Sequence, residues 1–346
     1  MACVLKPFFA AKENGMKLKL NMQRITIIMV ILFIASCITI MVLDWQDMRH
    51  IIGQANWLLI LPALLFTAAS YTCLSYSLAA VFHTFGIKLP TKDIIEIGFV
   101  SNVINYLLNV GGVTGVSLQF LLFKKRGVAT EDILAPSLFH LYFNGLMLIA
   151  LFPIGLFSVL FSQHLSRTAS LGLGIADGIL TLLLILATVV VFVASFRAVI
   201  LRGLNRLVQW ITRRNINKAL QDFDTAMNRG VTAISRRPGT LALLVALMVG
   251  DWASTITALW FCFYALGNPV GLGVLLPGFS LGITAGFVSL VPGGLGVQEG
   301  SMAGIYALLG VPIGIAIVAA VLFRIVYYFI PFLASLGFYR RLLRDK

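Results

Sequence analysis

The chain has 346 residues, of which 59% are hydrophobic and only 11% are charged. Soluble domains are roughly half apolar and a quarter charged, so the composition excludes a soluble protein and predicts an integral membrane protein. The formal net charge is +13. In a membrane chain this excess is typical of basic loops that face the cytoplasm and anionic lipid, and we expect no nucleic-acid partner.

The chain lacks the common signatures of catalysis and of structural metal sites. Its four cysteines and four histidines are scattered without metal-ligand or disulfide-framework spacing. GxxxxGK[ST] and HExxH do not occur, and GxSxG occurs only inside an apolar segment, at residues 278–282, and not on a soluble domain. We therefore expect no enzyme activity, no cofactor and no bound metal. The basic N-terminal stretch precedes an apolar run without a cleavage motif after it, which predicts a retained first helix.

A membrane-spanning helix needs about 20 mostly apolar residues. Six segments meet this requirement and are predicted as full spans: 25–43, 57–82, 132–161, 171–195, 241–266 and 313–338. Two further apolar regions, 94–123 and 273–309, are too long for one span and contain glycine or proline near their centres. Such a break predicts a pair of half-helices in each region.

The positions of the basic residues predict the topology. Basic clusters occur in the N-terminal segment, at 88–92, at 124–126, through 195–240 and at the C-terminus. All of them lie on one side only if both broken regions are re-entrant, entering and leaving the membrane from the same side. Because basic loops favour the cytoplasm, both termini are predicted to be cytoplasmic.

The two broken regions resemble each other. GGVTGVSLQFLLFKKRGV starts at Gly111, and GGLGVQEGSMAGIYALLGV starts at Gly293. Each broken region lies between two predicted spans. The span before the first region has the opposite orientation in the membrane to the span before the second region, and the same holds for the spans that follow. The pattern predicts an inverted repeat of 57–161 and 241–338, joined by a basic linker at 196–238; chance similarity of glycine-rich segments is the alternative. Inverted repeats in transporters place broken helices around a substrate path.

The stretch VPGGLGVQEG, residues 291–300, carries the strongest functional signal. Irregular backbone within a bilayer is tolerated only where it is buried in protein or lines a wet cavity. Pro292 ends one half-helix, and the next begins near Gly296 with free N–H groups that favour an anion such as phosphate. Glu299 is either a carboxylate that caps this half-helix or a charge that meets a cationic head group or a proton.

Other polar residues inside apolar segments complete the predicted site. Asp251 and Arg324 are intramembrane charges, and Arg324 is expected to neutralise Glu299 or Asp251. Asn102, Asn105 and Asn109 share one helix face and either line a polar path or join helices. The predicted substrate-binding set is Glu299, Asp251, Arg324, Gly293, Gly294, Gly296, Gln298, Asn102, Asn105, Asn109, Gly111, Gly112 and Gly115, with Pro292 as a structural break.

The linker contains a basic amphipathic helix with an apolar face that includes Ile200, Leu204 and Ile211. Arg202 and Arg206 fall elsewhere on the helix, and Trp210 is an interfacial anchor. This pattern is typical of a helix lying on the inner leaflet. Anchoring is favoured over recruitment of substrate as its role.

The late motif is similar to that of the lysylphosphatidylglycerol synthase transmembrane family, the flippase-like region of the multiple peptide resistance factor. Pro292, Gly293, Gly294, Gly296 and Glu299 match the family's Pro-Gly-Gly-x-Gly-x-x-Glu turn. The earlier family motif is matched by Gly112, Gly115 and the run from Lys124 to Val128. The chain departs from it at Asn109-Val110, where the family often has proline, and at Ser117 or Gln119, where it has an acidic residue.

The resemblance extends from about residue 25 to 344 and implies an all-α translocator of lipids. In the resistance factor this region is thought to move aminoacylated phosphatidylglycerol to the outer leaflet. The aminoacyl-transferase domain is not among these residues, so we expect no lipid synthesis. The expected substrates are an anionic or aminoacylated phospholipid or a polyprenyl-linked lipid, with a lipid-modifying enzyme as an expected kind of partner.

Two other functional classes stay open at this point. One is a secondary transporter of a small soluble solute, and the other is a non-transporting partner of a lipid-modifying or glycosyl-transfer enzyme. The sequence leaves the oligomeric state, the coupling ion and the identity of the lipid undetermined.

Overall fold

The computed structural model describes residues 45–108, 113–162, 167–212, 217–289 and 291–344. These residues are helical and contain no strand. The helices are α1 Trp45–Gln54, α2 Ile60–Thr84, α3 Thr91–Leu108, α4 Val113–Lys125, α5 Thr130–Ser162, α6 Arg167–Phe192, α7 Ala194–Thr212, α8 Asn217–Ser235, α9 Pro238–Ala265, α10 Leu272–Val288, α11 Val297–Leu308, α12 Ile313–Arg324 and α13 Ile330–Arg344. The predicted first span, 25–43, lies outside the described residues.

Three stretches of helix are long and apolar enough to cross a membrane. They are Trp57–Thr84, Pro238–Ala265 and Ile313–Leu342, which contain α2, α9 and the pair α12 and α13. They coincide with the predicted spans 57–82, 241–266 and 313–338. Helices α5 and α6 occupy the positions of the predicted spans 132–161 and 171–195, and α5 continues through Pro136 and Pro153. That α5 and α6 cross the membrane stays a prediction.

Helices α10 and α11 form an antiparallel pair with very close packing. A Cβ atom added at Gly278 would lie 2.2 Å from the Tyr306 ring, and one at Gly282 would lie 2.0 Å from Met302 Cγ. One at Gly286 would lie 3.0 Å from Gln298 Cβ. The three glycines are four residues apart and form the face on which α11 rests. Small residues at this spacing allow helices to approach closely in a membrane, where packing contacts drive helix association.

This packing predicts that Gly278→Ala destabilises the protein although alanine is the better helix former. The added methyl group overlaps the buried Tyr306 ring, and such overpacking costs about 1–3 kcal/mol. Gly273→Ala is the matched control, because Gly273 lies on the same helix with open space around it. Both variants are unfolded in mild-detergent micelles by titration with a denaturing detergent. The midpoint of the unfolding transition should be lower for Gly278→Ala only. Equal midpoints for both variants would contradict the close packing.

Helices α2 and α9 pack side by side in opposite directions. A Cβ at Gly250 would lie 3.3 Å from Cys73 Sγ, Ser70 bonds to Thr255, and the rings of Phe66 and Phe261 stack at 5.7 Å. Residues further along α2 therefore contact residues earlier in α9, so the two helices are antiparallel. Both halves of the chain also share one order of elements, namely a long helix, a pair of shorter helices and another long helix.

The basic linker folds into α7 and α8, which meet through a buried arginine. Arg197 is 2% exposed and lies 2.5 Å from Asp224 Oδ1, and it also bonds Asn228 and the carbonyl of Val191. Helix α7 leaves α6 at a bend of 100°. Trp210 is 81% exposed, and Ile200 and Leu204 are also exposed. These residues are available to a membrane surface, which is the predicted use of this helix.

Candidate functional site

The turn between α10 and α11 is built by glycines. Gly293, Gly294 and Gly296 have φ angles of 65°, 60° and 78°, which residues with a side chain adopt only with strain. A Cβ at Gly293 would lie 2.2 Å from the carbonyl oxygen of Leu107, at the end of α3. The tip of the second helix pair (α10 and α11) therefore contacts the backbone of the first pair (α3 and α4).

Glu299 has two partners at this turn. Its Oε2 accepts a hydrogen bond of 2.8 Å from the backbone N–H of Gly296, which caps the first turn of α11. Its Oε1 lies 2.5 Å from Arg324 Nε and forms an ion pair with it. The angle between these atoms does not meet the geometry of a hydrogen bond. Both side chains are buried, at 3% and 5% exposure. Glu299 is therefore a capping carboxylate and also one half of a buried ion pair.

Arg324 connects the turn to the last long helix. Its Nη2 donates to the carbonyl of Gly293 at 2.5 Å, and its guanidinium lies 5.3 Å from the centre of the Tyr328 ring. Nη1 has no hydrogen-bond partner within the described part of the chain. The sequence left open whether Arg324 neutralises Glu299 or Asp251, and the structure places it on Glu299.

A π-helical turn, Ile325–Phe329, follows Arg324 and separates α12 from α13. Single π-turns inside helices often occur at functional sites, because the wider turn redirects side chains. Here it carries Tyr327 and Tyr328. Tyr328 accepts a hydrogen bond of 2.9 Å from Gln298 Nε2, so Gln298 joins the Glu299–Arg324 centre.

The first helix pair, α3 and α4, is joined by an asparagine. Asn105 Oδ1 accepts a hydrogen bond of 3.1 Å from the backbone N–H of Gly115, and a Cβ at Gly115 would lie 2.7 Å from Asn105 Cβ. Asn105 therefore joins helices, which is one of its two predicted roles. Asn102 is 7% exposed, and its Nδ2 has no partner among the described residues. Asn109, Gly111 and Gly112 lie outside the described residues.

Asp251 belongs to a second polar cluster, between α2, α9 and the π-turn. Ser70 Oγ donates to Asp251 Oδ1 at 2.5 Å and lies 2.7 Å from the Tyr327 hydroxyl. Thr255 Oγ1 lies 2.9 Å from the same hydroxyl. Asp251 is 1% exposed. Within the described ranges no lysine, arginine or histidine forms an ion pair with it.

The two polar clusters meet at the π-turn, where each includes one of two adjacent tyrosines. Tyr327 faces the Asp251 cluster, Tyr328 faces Gln298 and Arg324, and their ring centres are 5.4 Å apart. The ring of Tyr106, from α3, contacts both at 5.8 Å. The sequence analysis did not identify the residues that complete the clusters: Ser70, Thr255, Tyr106, Tyr327 and Tyr328. The only available signal was the tyrosine pair one turn after an intramembrane arginine.

This arrangement offers groups that can bind a charged or polar ligand. No group of three or more histidines, cysteines or acidic residues in the described ranges is placed to hold a metal ion. The centre contains a carboxylate, a guanidinium and the backbone of the glycine turn, buried among apolar helices. Such groups recognise charged or polar ligands in a membrane, and intramembrane ionisable residues usually mark pathways for substrates or ions.

Comparison with known proteins identifies the family. Residues 24–335 match the family model described as the lysylphosphatidylglycerol synthase TM region. The chain belongs to this family. The resemblance predicted from the glycine turn is therefore confirmed, and the match includes both helix pairs and both polar clusters.

Two similar proteins have names that state only that they are membrane proteins. Both are UPF0104 membrane proteins of Methanothermobacter thermautotrophicus. One is 27% identical over 179 residues, which is 45% of this chain and 50% of the relative. The other is 26% identical over 115 residues, which is 33% of each chain. The chain thus matches at most half the length of these curated relatives.

Proposed function

We propose that this membrane protein translocates a lipid with a charged head group between leaflets, as the flippase-like region of its family implies. The observation that carries the proposal is the buried Glu299–Arg324 pair at the contact of two broken-helix pairs. Retaining two charges inside a membrane costs free energy, so such a pair indicates a role beyond stability. A head-group phosphate would bind the guanidinium, and an amine would bind the carboxylate.

Translocation requires the centre to open. Glu299, Arg324 and Asp251 are each at most 5% exposed, so a head group reaches them only after the helix packing changes. The tip contact of Gly293 with Leu107 and the bond from Arg324 to Gly293 are the contacts that would break. The substrate would then take the place of one partner in the ion pair, which lowers the cost of opening.

The proposal includes a topology. Six full spans and two re-entrant helix pairs would form an inverted repeat, with both termini on the cytoplasmic side of a bacterial inner membrane. The antiparallel packing of α2 and α9, the first helices of the two repeats, supports this inversion. The tip contact supports two helix pairs that meet inside the membrane. With no ATPase motif in the sequence, movement would be passive or driven by an ion gradient.

The test is leaflet exchange in reconstituted vesicles. Head-group-labelled lipids, one cationic, one anionic and one zwitterionic, are followed by the fraction that becomes accessible to a membrane-impermeant quencher. We expect exchange above that of empty vesicles, selective for head group, and abolished by Glu299→Gln. Asp224→Asn is the matched control, because it removes a carboxylate from an arginine ion pair in the linker and should leave exchange intact.

Other outcomes would favour the rival functions. Absence of exchange by folded protein, with and without an imposed proton gradient, would overturn the proposal. Uptake of a soluble solute without lipid exchange would indicate a secondary transporter. Stable co-purification with a lipid-modifying enzyme, unaffected by Glu299→Gln, would indicate a scaffold.

A further inference from the structure

A groove on the surface of the described part of the chain lies apart from the polar centre. It has a volume of about 480 Å³ and runs between α2 (Leu64 to Ser75), α3 (Ile95 to Phe99) and α13 (Ile330 to Phe338). This volume is within the range of small-molecule sites, roughly 300–1,000 Å³. Neither Glu299, Arg324 nor Asp251 lines it. The surrounding surface is apolar, since Leu61 and Leu65 are 60% and 71% exposed.

The groove wall is apolar although it contains several hydroxyl groups. Thr67, Thr72 and Ser75 each donate to the carbonyl one turn earlier in α2, at 2.9, 2.7 and 2.7 Å. Tyr71 donates to the carbonyl of Tyr327 at 3.1 Å. These hydroxyls are satisfied by backbone, so the groove suits a hydrocarbon chain better than a sugar or a peptide, both of which need polar partners.

The groove wall on the last long helix begins directly after the π-turn, at Ile330 and Pro331. Ile330 N–H bonds to the carbonyl of Ile325, five residues back, and Pro331 has no N–H to donate. Pro331 lines the groove, opposite α2. Tyr71 stacks on Tyr327 at 5.3 Å and separates the groove from the Asp251 cluster.

The length and the charged end of the groove define its occupant. Leu64 and Ser75 are eleven residues apart, which is about 16 Å along a helix. This is half of a hydrocarbon core of about 30 Å, or the depth of one leaflet. At the Ser75 end the wall includes Glu96, whose Oε1 lies 3.3 Å from Nη1 of the half-exposed Arg341.

Two further basic side chains contact residues that are close in sequence to Arg341 and Glu96. Lys125 Nζ bonds to the carbonyl of Leu342 at 3.3 Å, and Arg126 pairs with Asp93 at 2.8 Å. Arg341, beside the mouth of an apolar groove, matches a phosphate attached to an acyl chain. Glu96 orients Arg341 at the mouth.

We propose that this groove binds one glycerophospholipid of the adjacent leaflet, with an acyl chain between α2 and α13 and its phosphate at Arg341. The site extends beyond the proposed translocation and does not depend on it. A lipid held here would lie against Tyr71, one ring away from Tyr327 and the Asp251 cluster. The groove would then be the position from which a lipid starts its movement.

Photocrosslinking tests the site directly. The protein is reconstituted with a phospholipid that carries a diazirine in the middle of one acyl chain, and the labelled peptides are identified by mass spectrometry. We expect the strongest labelling on 64–75 and 330–338. Ala68→Trp fills the groove, because Ala68 lines it, and should reduce this labelling about tenfold, the change that 1.4 kcal/mol of lost binding produces.

The control is the neighbouring residue. Ala69 is exposed on the same helix and does not line the groove, so Ala69→Trp should label like the wild type. A diacylglycerol probe without phosphate should label the groove less than the phospholipid, and Arg341→Gln should remove that difference. Even labelling of all lipid-facing helices, or labelling unchanged by Ala68→Trp, would overturn the site. Groove labelling without leaflet exchange would overturn only the translocation.

Discussion

Glu299→Gln should destabilise the protein by about 3–5 kcal/mol, the usual cost of removing one partner from a buried ion pair. Glutamine retains an oxygen for the Gly296 N–H, so the cap survives and the loss comes from the uncompensated charge of Arg324. Arg324→Gln should cost a similar amount, because it strands Glu299 and also loses the bond to Gly293. Denaturation midpoints in detergent measure both effects.

The double variant Glu299→Gln/Arg324→Gln separates the charge pair from the rest of the packing. It removes both charges and strands neither, so its loss should be no larger than that of either single variant and well below the sum of the two. Additive losses would contradict a direct ion pair. A single Glu299→Gln variant as stable as the wild type would show that the charge is already compensated elsewhere.

Gly293→Ala should disrupt the contact between the two helix pairs. A residue with a side chain at φ 65° carries strain of about 1–3 kcal/mol. The new Cβ would also lie 2.2 Å from the carbonyl oxygen of Leu107, and a backbone atom cannot rotate away. We expect a total loss above about 3 kcal/mol, at the level of the largest single-residue effects, together with loss of lipid exchange.

Gly296→Ala distinguishes backbone strain from the tip contact. Gly296 has φ 78°, but a Cβ there has nothing within 4 Å. Its alanine variant should show only the strain, about 1–3 kcal/mol, and should keep measurable exchange. If the two variants were equally unstable, the contact between Gly293 and Leu107 would contribute nothing, and the proposed meeting of the two helix pairs would fail.

The sequence predicted the elements of this fold well where apolar length decides the outcome. Helices long and apolar enough to cross a membrane occur at the predicted spans 57–82, 241–266 and 313–338, and helix breaks occur at the proline and glycines of residues 292–294. Helix formation in a membrane depends on local composition, because the backbone must satisfy its own hydrogen bonds. The same reasoning cannot place the π-turn, since nothing local distinguishes Ile325–Phe329 from an ordinary helical turn.

The sequence placed some residues of the polar clusters in one predicted set, but it did not predict which of them pair. Glu299, Arg324 and Gln298 meet because α11 and α12–α13 fold against each other, and the charges themselves identified them as a set. The choice of Glu299 over Asp251 as the partner of Arg324 depends on the three-dimensional path of α11. Ser70 and Thr255 were not recognised because hydroxyl residues occur throughout membrane helices and usually bond to their own backbone.

The groove between α2 and α13 could not be predicted at all. Its residues come from three helices that are far apart in sequence, and most are ordinary apolar or small side chains. A surface site of this kind is a property of the packing between helices and not of any one segment.

The most direct test of the account is leaflet exchange by the folded Glu299→Gln/Arg324→Gln variant in vesicles. The account holds that the ion pair serves translocation beyond its contribution to stability. The variant should therefore fold and bind phospholipid in the groove, yet exchange labelled lipid no faster than empty vesicles. Exchange at the wild-type rate by this neutral variant would contradict the account and leave the buried pair with a structural role alone.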